Sequence, residues 1–231
     1  MGLDALYREV MEINVTDDKD KQKEAAKAFF DKLNFMDKPE YFNWAEEIFE
    51  GLHVKERGDK TALFWASLVD DQERSLTYSQ MATSANKLLN LLRKNGVAKG
   101  DNVYMMIPIV PETWIVSLAA VKGGLVAVPT ATSMTVRELK FRFEAYPPDV
   151  IIVDEASLEP MNQALADTGC TPKVKLIVGS ADGWTSFADI QSEADQAEAA
   201  KTKSDDTLIC FFTSGTTGLP KLVGQIGRAH V

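Results

Sequence analysis

Cysteine and histidine are scarce in this chain of 231 residues, with two of each. Cys170 and Cys210 cannot build a disulfide framework or a four-thiolate zinc site, and two histidines add little to any ligand count. That thiol usage fits a reducing compartment. A positive excess is missing as well: 25 Lys and Arg stand against 34 Asp and Glu, a formal net charge of −9. Nucleic acid held by a broad basic face, and binding to anionic membranes, are therefore disfavoured. No apolar run is long enough to cross a bilayer. The longest apolar-rich stretch, 103–128, is broken by Pro108, Pro111, Glu112, Lys122 and two glycines, and reads as strand, turn, helix, strand. Residues 1–20 hold no basic segment followed by an apolar one, so no secretory leader is visible and the cytoplasm is the expected location.

What remains is an ordinary globular composition, 45% hydrophobic and 26% charged, enough to bury a core. The length suggests one or two domains. Residues 1–38 are charged and read as a helical extension, with Ala25, Ala28, Phe29 and Leu33 as a narrow apolar stripe over 19–33. Phe42, Trp44, Ile48, Phe49 and Leu52 predict a short amphipathic helix with Gly51 near its end. Residues 61–69 and 75–78, joined through Asp70-Asp71, predict a hairpin. Thr77 and Gln80 have capping-box spacing and open a helix that Asn95-Gly96 stops.

Strand and helix then alternate. Strands are expected over 102–108, 125–129, 150–153, 173–178 and 207–212. Helices are expected over 111–122, from the capping pair Thr135 and Glu138 to about 145, and over 156–166. The polar, Ala-rich stretch 191–204 reads either as a helix or as a mobile loop. This order predicts an α/β fold with a mostly parallel sheet flanked by helices.

One segment carries chemistry: Thr213-Ser214-Gly215-Thr216-Thr217-Gly218-Leu219-Pro220-Lys221, directly after an apolar strand. Gly215 and Gly218 allow close backbone approach to a ligand. Four hydroxyls and several backbone N–H groups can donate to phosphate oxygens. Lys221 adds a positive charge, and Pro220 stiffens the exit. It is not a Walker A sequence, because the spacing of its glycines differs and Leu222, rather than Ser or Thr, follows the lysine. A ligand-free Gly/Thr turn is the bland alternative, and the length of the string argues against it.

The string resembles the phosphate-binding loop of the adenylate-forming superfamily, which comprises acyl-CoA synthetases, luciferases and peptide-synthetase adenylation domains. Leu76-Thr77-Tyr78 through Gly100-Asp101 resembles that family's opening helix and turn. Val121-Lys122-Gly123-Gly124-Leu125-Val126-Ala127-Val128-Pro129 resembles its second core motif, and Arg137-Glu138-Leu139 falls at its next helix. The resemblance runs over about residues 40–224. Phe42-Asn43-Trp44, Pro129-Thr130-Ala131-Thr132 and Asp182-Gly183-Trp184 place it nearest the medium-chain acyl-CoA synthetases.

The resemblance implies the N-terminal part of the family's large domain, over residues 39–224. It also implies an ATP-dependent carboxylic acid–CoA ligase acting through an acyl-adenylate, on a fatty or other small organic acid. ATP, Mg2+ and coenzyme A are its implied substrates and cofactors. Thr213, Ser214, Gly215, Thr216, Thr217, Gly218 and Lys221 are its implied nucleotide-binding residues. The family's adenine-, ribose- and acyl-binding segments come later than this loop, so the chain is expected to be truncated and inactive by itself. No catalytic residue and no metal ligand is assigned. Two other functions stay open: a peptide-synthetase-type adenylation domain, and a stand-alone nucleotide-binding module.

Residues 225–231 are expected to be a non-native tail, because Ile226–Val231 corresponds to a read-through of a common sequencing adapter. His230 therefore carries no weight. His53 reads as a surface residue and Cys210 as a small buried hydrophobe. Residues 17–21 read as a solvated helix face. Trp114, with Ile115, Val116 and Leu118, reads as core.

Overall fold

The structure, a computed structural model, describes residues 8, 9, 13, 18–34, 39–213 and 220–226, with backbone only for 30–34. Helix α1, Lys19–Asn34, begins where Asp18 Oδ1 accepts from the backbone N–H groups of Asp20 and Lys21. Of its expected apolar stripe, Phe29 is buried, Ala25 is half-buried and Ala28 is exposed.

The second helix is longer than the sequence suggests. It spans Ala45–Val54 with π-type hydrogen bonding and runs on through Lys55–Arg57 (together α2). Gly51 therefore lies inside the helix, on its exposed side, and not near its end. A mid-helix glycine costs about 1 kcal/mol, and the burial of Ala45, Ile48, Phe49 and Leu52 on the inner side outweighs it.

Strands β1 (Thr61–Ala66) and β2 (Glu73–Thr77) form the expected antiparallel hairpin. Helix α3 (Tyr78–Lys94) starts at the full capping box, with Gln80 N–H donating to Thr77 Oγ1 and Thr77 N–H to Gln80 Oε1. Then follow β3 (Asn102–Met106), α4 (Pro111–Gly123), β4 (Val126–Pro129), α5 (Val136–Ala145), β5 (Val150–Asp154), α6 (Leu158–Thr168), β6 (Val174–Val178), the two-residue β7 (Thr185–Ser186), a 3₁₀ turn (Phe187–Ser192), β8 (Thr207–Thr213) and β9 (Lys221–Ile226). The main sheet has the order β7-β6-β5-β3-β4-β8-β9, parallel throughout except for the antiparallel pair β8–β9. Neither β7, which is too short to show a period, nor β9, which carries Gly224 after Pro220, was among the expected strands. β9 runs through Gln225 to Ile226, which pairs with Thr207.

Alternation along the strands builds two cores, one on each face. Val103, Met105, Leu125, Ala127, Val150, Ile152 and Leu176 face α3, α4 and the 3₁₀ turn. Tyr104, Met106, Val126, Val128, Ile151, Val153 and Ile177 face Leu139 and Phe143 of α5 and Met161 and Leu165 of α6. The result is three layers, helix–sheet–helix.

Of the stretch 191–204, Gln191 and Ser192 close the 3₁₀ turn, and the rest is neither a helix nor a loose loop. It is an extended strap held by side chains. Asn86, Lys87, Asn90 and Arg93 share one face of α3, and they donate to the carbonyls of Asp195, Gln191, Ala194, Gln196 and Glu198. Asn43 and Lys99 hold the carbonyls of Ala200 and Lys201. These donors satisfy backbone groups that a helix would have satisfied internally.

Candidate functional site

The parallel strands β3, β4, β5 and β8 bring their carboxyl ends to one edge of the sheet. From β3 the chain passes through α4 to β4 on one side, then through α5 to β5 on the other. Open α/β sheets form ligand crevices outside the carboxyl ends of strands at such a reversal. β8 reaches this edge at Thr213, and β9 departs from it at Lys221.

Of the seven residues expected to bind nucleotide, the structure describes Thr213 and Lys221. It places them opposite one another in the β8–β9 ladder, with Thr213 Oγ1 donating to the Lys221 carbonyl at 3.4 Å. Both are exposed. Among the described residues the Lys221 ammonium has no ion-pair partner. Ser214, Gly215, Thr216, Thr217 and Gly218 lie outside the described residues, as does His230.

Two cavities flank this region on opposite faces. One, of about 890 Å³, lies between α5 and Pro220 and is lined by Arg137, Lys140 and Arg142 among others. Lys140 is paired there with Asp167 at 2.9 Å. The Glu138 carboxyl, which accepts from the Thr135 N–H and hydroxyl, is held below the usual carboxylate range by those bonds.

The other cavity, of about 490 Å³, is mostly apolar and is lined by Phe42, Trp44, Met105, Trp114 and Leu208. Trp114 is thus a correction to the expected core: it is 46% exposed on α4, while Ile115, Val116 and Leu118 beside it are buried. Its position on the helix turns it away from the sheet and into the cavity.

Sequence reasoning also passed over Arg142, which is 8% exposed and lies over the Phe212 ring. The available signal was its spacing: Leu139, Arg142 and Phe143 fall at i, i+3 and i+4, on the apolar stripe of α5. His53 is not a plain surface residue either. It packs against Phe49 and Tyr78, and Arg57 Nη2 donates to its Nδ1 at 2.7 Å. Burial first, and the Arg57 charge second, lower its pKa. Cys210 is buried, as expected, and burial pushes its thiol up.

A parallel sheet covered on both faces, with a glycine- and hydroxyl-rich segment between its last two strands, defines an α/β protein of the adenylate-forming class. The chain belongs to the AMP-binding enzyme family, whose model matches residues 52–225. It is 44% identical to 4-hydroxybutyrate–CoA ligase 1 of Metallosphaera sedula over 184 residues, which is 79% of this chain and 31% of that protein. It is 33% identical to the human mitochondrial acyl-coenzyme A synthetase ACSM5 over 192 residues, 80% of this chain and 33% of the relative. The crystal structure of the anthranilate CoA ligase AuaEII with anthranoyl-AMP superposes with a TM-score of 0.74 at 26% identity. It covers 83% of this chain and 36% of that one. The chain therefore spans about a third of the length of the curated relatives it matches. Among the described residues, no helix is long and apolar enough to cross a membrane.

Proposed function

We propose that the full-length protein containing this chain is an AMP-forming carboxylic acid–CoA ligase, and that residues 213–221 hold the phosphates of ATP. The observation that carries the reading is the bracket formed by Thr213 and Lys221 at the carboxyl edge of the sheet, in a chain whose relatives include CoA ligases.

In the first step a substrate carboxylate oxygen attacks the α-phosphorus of ATP. The bond to the bridging oxygen breaks, and pyrophosphate leaves with its electron pair. In the second step the thiolate sulfur of coenzyme A attacks the acyl carbon, and AMP leaves. The chain's own contribution is positioning and charge stabilisation. The hydroxyls of Thr213, Ser214, Thr216 and Thr217 and the backbone N–H groups at Gly215 and Gly218 donate to the β- and γ-phosphates. Lys221 offsets their charge.

Magnesium arrives on the nucleotide in this scheme, and no residue of this chain is assigned to it. The acid is a fatty or other small organic one, a range that includes the acid in the name of the 4-hydroxybutyrate relative. The AMP-binding domain is assigned to residues 39–224, and 225–231 to a non-native tail. The cytoplasm stays the proposed location. Since ACSM5 is mitochondrial by name, cell fractionation decides between the two compartments.

The test is product analysis. Full-length enzyme given ATP, coenzyme A and a panel of short and medium carboxylic acids should form an acyl-CoA thioester and AMP. Formation of ADP, or an acyl-adenylate with no thioester, would overturn the ligase assignment.

A further inference from the structure

The last residues of β8 are weakly tied to the rest of the sheet. The ladder between β4 and β8 has a single registered pair, Ala127 with Ile209. Beyond it, among the described residues, Cys210 through Thr213 pair only with β9, itself an edge strand. Apart from that ladder, this strand end is tied to the helices through side chains. On the α5 face those are Cys210 and Phe212, since Phe211 points the other way and is 41% exposed.

The partner of Phe212 is Arg142. Its guanidinium carbon lies 4.6 Å from the ring centroid, well within the range of a cation–π contact. The residue is 8% exposed. Among the described residues no carboxylate stands within ion-pair distance of it, and its guanidinium donates no hydrogen bond. Glu138, one turn back on α5, gives its Oε2 to Thr135 and acts on Arg142 only through space. Burying a cation is costly unless something stabilises it, and here the face of the Phe212 ring is its direct contact, with the Glu138 charge acting at longer range.

We propose that Arg142 is a positioning residue for the nucleotide. Through Phe212 it fixes the terminal residues of β8, and so the point from which the phosphate-binding segment leaves the sheet at Thr213. The inference rests on the ligase reading above. Arg142 touches no substrate in it; its effect reaches the phosphates only by way of Phe212 and the strand.

The experiment is a double-mutant cycle in the full-length enzyme with Arg142→Met, Phe212→Leu and the pair together. The readouts are ATP–pyrophosphate exchange and the KM values for ATP and for coenzyme A. Each single substitution should raise KM for ATP about tenfold, the scale of one desolvated cation–π contact, and leave KM for coenzyme A within about twofold. The double variant should be no worse than either single. Arg142→Lys, which keeps a cation, should recover part of the loss and serves if Arg142→Met does not fold. Additive effects, equal shifts in both KM values, or an unchanged KM for ATP in an active enzyme would overturn this inference alone. A wild type with no acid-dependent exchange would overturn the ligase reading, and this inference with it.

Discussion

The ammonium of Lys122 lies 2.7 and 2.8 Å from the two carboxylate oxygens of Glu50, and 2.7 Å from Asn86 Oδ1. Lys122 is 3% exposed. One buried cation thus joins the end of α4 to α2 and α3. Glu50→Ala leaves that charge with a single neutral partner and should cost about 3 kcal/mol. Replacing both residues, Glu50→Leu with Lys122→Met, should recover most of the loss, because no charge is then left buried. Urea midpoints of the single and double variants measure this.

Asn43 spreads two amide protons over three carbonyls, those of Val121, Lys122 and Ala200, at 3.3, 3.1 and 3.1 Å. Asn43→Leu should cost about 2 kcal/mol in unsatisfied buried acceptors. The local consequence is more diagnostic. The amide of Ala200, bonded to the Lys122 carbonyl, and that of Phe42, bonded to the Thr202 carbonyl, should exchange faster with deuterium, while amides of β5 keep their protection.

His53 accepts from Arg57, so its proton sits on Nε2 and the ring is neutral. Its pKa is lowered in the fold, by burial and then by Arg57. The unfolded chain, titrating near the ordinary value of about 6.5, takes up a proton first as pH falls. The His53 contribution is therefore complete above that value and is lost as pH drops through the lowered folded one. His53→Leu should flatten the fall in melting temperature between about pH 7 and 5. An unchanged slope would remove His53 from the acid limb.

Gly124 closes α4 at φ +63°. A Cβ there would stand 2.9 Å from Thr202 Cγ2 and 3.0 Å from Lys99 Cγ. Gly124→Ala should destabilise by about 2 kcal/mol, from the backbone conformation and the contact together. Gly96→Ala has the same kind of φ, +82°, but no heavy atom within 4 Å, and should cost less. Thermal melts of the two variants separate strain from crowding.

Much of the fold can be read along the chain because its signals are local. Thr77 with Gln80 and Thr135 with Glu138 form their capping boxes as spaced, and the fully buried β3 reads as an apolar run after Asn102. Features that depend on distant partners are not legible in that way. The strap over 193–204 has no period of its own, since its hydrogen bonds come from Asn86, Asn90 and Arg93 about a hundred residues earlier. Arg142 looks like one more surface arginine until Phe212 lies beneath it. The site shows the same split. The proposed phosphate-binding role of the string 213–221 rests on residue type and order, while the register that sets Thr213 against Lys221 emerges only with β9.

The central claim is that residues 213–221 bind ATP phosphates during acid activation, and ATP–pyrophosphate exchange in the full-length enzyme tests it most directly. Gly215→Val and Lys221→Ala should each depress acid-dependent exchange by at least about tenfold. Exchange at the wild-type rate in both variants would contradict the assignment.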